Sequence, residues 1–379
     1  MTSKILIVGA GIAGLSLARR CMAYDLAFDI IEKRPSDYSY EAGVILPFNA
    51  VRELKKLKIF DRLSDTSHPF SKITYSTTSG RKLGIENLIS SPFENDQFVA
   101  VRRQALWEAL FKGLHKKVRF NTELLSIEHG DDHVVISCSN ELLNGKYDLV
   151  VAADGINSAV RTKNYEGQET IVDNNILCGH FLVTYPDHGL QPVYMIGNAE
   201  SFALYPLDEN TLCCFMQVLD ENDASASADD AGKNIVHRFS SYGGVVPEIL
   251  SKLDASTILV NRLKSVTEPR FFDRRIAFVG DAANGGFPLI HQGVATALED
   301  TRYLADSLAM QHIDQALESY NARRENEVAT MRRYSDETIL SFKKARFSGV
   351  RSISSLKIRA FGLANFRCWR KLAAGNQFS

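Results

Sequence analysis

The chain has 379 residues, 45% hydrophobic and 23% charged, with a formal net charge of −1. That length and composition suit a globular protein of two domains, or of one domain with a large insertion. The balanced charge excludes a general nucleic-acid binder, and no apolar run approaches the ~20 residues needed to cross a bilayer.

The first strand signal is Ile5-Leu6-Ile7-Val8, following directly on Met1-Thr2-Ser3-Lys4, so no signal peptide is expected. Gly9-Ala10-Gly11-Ile12-Ala13-Gly14 then leads into a helical pattern, and a second apolar run, Phe28 to Ile31, ends in Glu32-Lys33-Arg34. Gly9 permits the tight turn, Gly11 admits a pyrophosphate to the backbone, and Gly14 lets helix pack on strand. The helix start offers free N–H groups to phosphate, and Glu32 is placed to accept hydrogen bonds from a ribose. Strand, glycines, helix, second strand and terminal acid together predict a dinucleotide site.

Lys33 to Gly43 reads as loop, and Asn49 to Leu63 as an amphipathic helix with a basic outer face. Short strand-like pieces follow from Ser67 to Phe98. Helical spacing over Val99 to Leu114, opened by Arg102-Arg103, predicts another helix. Val118–Phe120, Leu124–Glu128 and Val134–Cys138 read as strands, with a turn at Gly130-Asp131-Asp132. Tyr147 to Ala153 predicts a buried strand delivering Asp154-Gly155, with Ser158 and Arg161 on the helix start beyond. Asp-Gly after a core strand marks many ordinary turns; the functional alternative is a second loop over cofactor phosphates. From Glu169 to Arg270 the pattern is that of strands, interrupted by one helix at Ala231–Phe239. It contains no glycine-rich phosphate loop, as expected of an inserted sheet that covers substrate. Arg275 to Val279 is another buried strand, ending in Gly280-Asp281, and Val294–Met310 reads as helix. Asp281 is placed to accept bonds from a ribityl chain, or else to be a solvated loop carboxylate.

Cys21, Cys138, Cys178, Cys213, Cys214 and Cys368 show no CxxC and no metal-ligand spacing. They read as core thiols of a reduced, cytoplasmic protein, and no metal site is expected.

Taken together, the three glycine-acid stretches resemble the flavin-dependent aromatic hydroxylases of the para-hydroxybenzoate hydroxylase type, which include the tetracycline-inactivating monooxygenases. The resemblance runs from Lys4 to about Arg324 and is weak in the substrate region. It implies an α/β fold: a Rossmann-like FAD-binding domain of the GR2 type (1–66, 98–168, 271–325) with an inserted mixed β-sheet substrate domain (67–97, 169–270). Residues 326–379 form a C-terminal helical, basic segment. It assigns the ADP half of non-covalent FAD to Gly9, Gly11, Gly14 and Glu32, and a cofactor contact to Arg103, which precedes Leu106 as in the family's R-x-x-L. Asp154, Gly155, Ser158 and Arg161 match DGxxSxxR. Gly280 and Asp281 match the Gly-Asp that holds the ribityl chain, and Tyr320, Arg323 and Arg324 match Tyr-x-x-Arg-Arg. Pro288, Gln292, Gly293 and Val294 fall in the loop and helix start implied to wrap the flavin ring.

At the family's histidine, first glycine and asparagine of that loop this chain has Asn284, His291 and Ala295. A protonated His291 beside the ring would stabilise reduced, anionic flavin. With only Trp107 and Trp369 present, the halogenase branch and its Trp-x-Trp segment do not apply. In the family NAD(P)H reduces FAD, O2 adds at C4a, and the hydroperoxide hydroxylates an electron-rich aromatic, phenolic or polyketide-like molecule. The alternatives are a flavin reductase or dehydrogenase of a lipid or isoprenoid, or a non-catalytic FAD-binding protein. Ile339–Ser379 carries nine Lys or Arg and no acid. It is expected to dock on the acidic body, or else to touch a membrane surface.

Overall fold

Five strands, Ile276–Phe278, Leu149–Ala152, Ile5–Val8, Phe28–Ile31 and Val118–Arg119, lie side by side and parallel in that order, with Phe272–Asp273 antiparallel at one edge. Ile276–Phe278, Leu149–Ala152 and Ile5–Val8 are buried throughout, which is why they read as unbroken apolar runs. This computed structural model describes residues 3–39, 41–186, 189–220, 228–344 and 363–375. Helices Ile12–Ala23 and Gly293–Met310 pack against each other, joined by Ser16 Oγ and Thr301 Oγ1 at 2.9 Å. An antiparallel sheet of Leu124–His129, Val134–Cys138 and Gly145–Tyr147 shares the same core.

The second unit is a seven-stranded mixed sheet, ordered Leu259–Val266, Ile171–Thr184, Thr211–Leu219, Glu200–Pro206, Val193–Ile196, Lys72–Thr77, Lys82–Asn87. Only the Val193–Ile196 and Lys72–Thr77 pair is parallel. Helices Ala228–Phe239 and Val246–Ser251 cover one face. The other looks away from these helices and packs across Phe48, Phe98, Tyr205 and Trp369. The approach is close: a Cβ on Gly43 would stand 2.3 Å from Cys213 Sγ.

The fold is the expected α/β one, with local differences. The helix expected over Asn49–Leu63 is two pieces, an α-helix at Phe48–Lys56 and a 3₁₀ turn at Phe60–Thr66. Lys58, at φ 55°, breaks it; the apolar spacing carries across because Leu63 is buried in the second piece. Val99–Arg102 is a strand, not the first turn of a helix, because it pairs with Gly43–Leu46 on one side and Ser67–Pro69 on the other. The helix begins only at Arg103. All six cysteines are buried and free.

Helix Ile313–Lys344 runs 32 residues. The last described helix, Ala364–Gly375, buries Phe366, Trp369 and Ala373 against the seven-stranded sheet. Arg367 pairs with Glu337 at 2.8 Å, and Arg370 pairs with Glu86. This part of the basic tail therefore docks on the body. Arg346, Arg351, Lys357 and Arg359 lie outside the described residues.

Candidate flavin site

Each central strand of the parallel sheet ends in one of the acid-bearing loops, so the register alone brings the three together. Val8 pairs with both Ile31 and Ala152, and Ala152 with Phe278. Gly9, Glu32, Asp154 and Gly280 therefore emerge along one edge, where ligands of parallel α/β sheets bind. A cavity of about 310 Å3 opens there, lined by Gly9, Gly11, Glu32, Lys33, Arg34, Arg103, Asp154 and Gly155.

The glycines do different work. Gly9 has φ +104°, and a Cβ on it would lie 2.6 Å from Ala153 O. A Cβ on Gly14 would lie 1.8 Å from Gly9 O, so this glycine closes turn against helix. Nothing lies within 4 Å of a Cβ on Gly11: its open side is space for a ligand. Ala10, Ile12 and Ala13 are buried and shape the turn, and Ala10 also lines a small adjoining cavity with Gly11, Glu32, Arg34 and Arg103.

Glu32 serves the turn as well as the cavity. Its Oε2 accepts from Ala10 N at 2.8 Å and its Oε1 from Arg34 N at 3.0 Å. A carboxylate has further lone pairs, which face the cavity. Lys33 and Arg34 are exposed at its rim, the latter stacked over Tyr38. Sequence reasoning missed Trp107, whose Nε1–H donates to Ala10 O at 2.8 Å from the helix that Arg103 begins.

Asp154 Oδ2 accepts from Ala159 N and Val160 N, capping helix Ala159–Asn164. Its Oδ1 is buried without a partner, and burial raises its pKa. Gly155, at φ +80°, lets the loop turn over the cavity. Arg161 points elsewhere. It donates to Ala282 O at 2.7 Å and to Ile156 O, fastening the second loop to the third.

Gly280 has φ 60° and ψ −140°, which only glycine adopts readily. Its N–H donates to Asp300 Oδ2 at 2.7 Å. Asp281, the first residue of a short helix, is exposed at the sheet edge where Gly280 emerges. Desolvation raises its pKa, opposed by the charges of Arg103 and Arg161. A Cβ on Gly293, where the Gly293–Met310 helix starts, would stand 3.9 Å from Asp281 Oδ1.

In the Pro288–Gly293 loop, Pro288 is exposed and Val294 half-buried. The Gln292 side chain turns inward, accepting from Asn49 Nδ2 at 2.9 Å, so it faces away from the groove. Asn284 also lies beneath the loop, donating to Asp300 Oδ2 at 3.1 Å. His291 adopts a left-handed conformation, φ 53°, and its Nε2 meets Tyr205 Oη at 3.2 Å. Burial, with His180 nearby, lowers its pKa to about 4. Its ring stands against Tyr205, Phe215 and Trp369, and this burial works against the protonated imidazole expected at neutral pH.

This donor set fits FAD: glycine space for a pyrophosphate, acids at ribose and ribityl positions, and an unsatisfied buried carboxylate oxygen. A family model described as "FAD binding domain" matches residues 2–335, and the chain belongs to that family. It is an FAD-dependent enzyme of the flavoprotein monooxygenase class.

Among its relatives is a 2-heptyl-3-hydroxy-4(1H)-quinolone synthase of Pseudomonas aeruginosa, 26% identical over 337 residues and 87% of each chain. A flavin-dependent monooxygenase of Legionella longbeachae is 26% identical over 84% of each. Of solved structures, Klebsiella pneumoniae HpxO with FAD and uric acid superposes with TM-score 0.84, at 21% identity over 98% of this chain and 97% of the other. Among the described residues no helix is long and apolar enough to cross a membrane, and no His, Cys, Asp and Glu cluster could hold a metal.

Proposed function

We propose that the protein uses NAD(P)H and O2 to hydroxylate an electron-rich aromatic small molecule. The observation that carries this is the arrangement of three strand-end loops along one sheet edge, with the Pro288–Gly293 loop turned toward a second, aromatic-faced sheet. When bound, FAD supplies the redox chemistry. The chain's own groups bind, orient and enclose. Gly11 leaves room for the pyrophosphate, Glu32 and Asp281 accept from hydroxyls, and the Gly293–Met310 helix start stabilises negative charge on the ring. His291 and Tyr205 close the substrate side and keep water out.

Relatives support the substrate class: one is named for quinolone chemistry, and P. aeruginosa PqsL (TM-score 0.79) was crystallised with 2-aminobenzoylacetate. The test is anaerobic reduction by NADH and NADPH, followed by O2, over a phenol and quinolone panel. Substrate-stimulated NAD(P)H oxidation with incorporation of one oxygen atom is expected; reduction of substrate without O2 would instead identify a reductase. Peripheral contact with an anionic membrane through the basic tail is a separate proposal. The docked Arg367 and Arg370 narrow it to the remaining cations, and vesicle binding of wild type against a variant with Arg346, Arg351, Lys357 and Arg359 changed to alanine tests it.

A further inference from the structure

We propose that the sheet face opposite the Pro288–Gly293 loop is a charge-free aromatic wall selecting an uncharged, planar substrate that hydrogen-bonds with the Tyr205–His291 pair. This rests on the reading of the protein as an aromatic hydroxylase, and adds the charge and shape of what it takes.

Strand alternation sets the wall. His180 pairs directly with Phe215, and Tyr205 pairs with Cys213 two residues along, so all three rings project from one face. His180 and Phe215 meet edge to face at 4.9 Å between ring centroids, and Tyr205 and Phe215 at 6.1 Å. His291 comes from the facing loop, its ring 5.6 Å from Tyr205. Farther along the same face, Tyr194 Oη and Ser201 Oγ both donate to Gln217 Oε1, at 3.2 and 2.7 Å. His180, Phe215, Tyr194 and His291 all keep some exposure, so this face is open, not sealed core.

No ionised group serves it. Burial lowers His180 and His291 each to about 4, and raises Tyr194 and Tyr205. The register places Cys178, Leu182, Cys213, Gln217, Ser201 and Ala203 on this same face, and none of these side chains is charged. A carboxylate brought here would lose its water and gain no counter-ion, which is strongly unfavourable. A neutral ring loses little on entry and gains edge-to-face contacts with Phe215 and His180. The hydroxyl and imidazole then supply the polar contact that fixes orientation. Selection comes chiefly from the charge the wall refuses.

The test is binding to oxidised FAD-loaded protein at pH 7, followed by flavin absorbance without NAD(P)H. Two pairs of nearly equal shape are used: 4-hydroxybenzamide against 4-hydroxybenzoate, and 1-hydroxy-2-naphthamide against 1-hydroxy-2-naphthoate. In each pair the amide is expected to bind about tenfold or more tightly. Tyr205→Phe should weaken the amides while leaving the order within each pair unchanged. A carboxylate binding as tightly as its amide, or no binding by any of the four, overturns the proposal. The outcome is separable from the hydroxylase reading: amide-selective binding with no O2-dependent turnover keeps the wall and removes the hydroxylase.

Discussion

His291 shows how one residue can satisfy a backbone demand that its type does not suit. Its φ of 53° is a conformation that costs a non-glycine residue roughly 1 kcal/mol, and the bond to Tyr205 offsets that. With burial lowering its pKa to about 4, the imidazole should lend the flavin potential no pH dependence near neutrality. Potentiometric titration of wild type, His291→Gly and His291→Ala between about pH 6 and 8 should give parallel slopes; a slope that flattens in both variants would restore a protonated imidazole. Stability carries the opposite pH signature. The unfolded His binds a proton near ~6.5 but the folded one only near about 4, so the unfolded state takes up more protons between those values. The contribution is present above that window and lost as pH falls through it. Thermal melts should drop more steeply from pH 6.5 to 4 in wild type than in His291→Asn. The glycines separate in the same way. Gly11→Val should leave the fold intact and abolish FAD binding, whereas Gly14→Val should lose both, because its side chain would collide with Gly9 O. Circular dichroism and flavin content together distinguish the two.

At the scale of elements, the third loop is held from behind. Arg324, fully buried on helix Ile313–Lys344, donates to Asp300 Oδ1 at 2.6 Å, and Asp300 in turn receives Gly280 N–H and Asn284 Nδ2. Arg324→Met leaves Asp300 buried and unpaired, a change of about 3–5 kcal/mol. Asp281→Ala removes only an exposed acceptor, worth roughly 1.5–3 kcal/mol of FAD affinity, or about tenfold to hundredfold. Arg324→Met should therefore lower the melting temperature sharply, and Asp281→Ala should lower FAD affinity with little effect on the apoprotein melt. The Arg324–Asp300 link joins residues 24 apart and had no local signal, although the Tyr-x-x-Arg-Arg match pointed at Arg324. The strand-end motifs were legible because each is one continuous stretch whose residues act on their own loop. Val99–Arg102 was not, since its spacing suits a helix and only pairing with two distant strands makes it β. The direction of the Gln292 side chain was not legible for a related reason: position in a motif says which loop carries a side chain, and Asn49 decides which way it turns.

At the scale of the whole molecule, the last helix ties together parts the rest of the chain leaves separate. Trp369 Nε1–H donates to Ile290 O at 3.1 Å, beside His291, while its ring packs on Phe98. Arg370 reaches Glu86 on the edge strand of the seven-stranded sheet, and Arg367 reaches Glu337 on the long helix. The basic pattern that suggested a membrane surface supplies, in this helix, anchors to two elements, and Trp369 adds a third. Nothing in the local sequence shows this, because the acids that receive the cations lie far along the chain. Trp369→Phe keeps most of the packing and removes one N–H, so the melt should shift by only about 1 kcal/mol. Freed of that bond, the Ile290 carbonyl and the left-handed His291 beside it lose their restraint. Binding of a neutral aromatic ligand should weaken severalfold, with FAD content retained. Deleting residues 363–379 goes further, exposing Phe48, Phe98 and Tyr205 and leaving Glu86 without its cation, and should lower both the melting temperature and FAD retention. Ligand titrations and melts on the two variants check the order: a deletion that melts and binds like wild type would show that the helix anchors nothing.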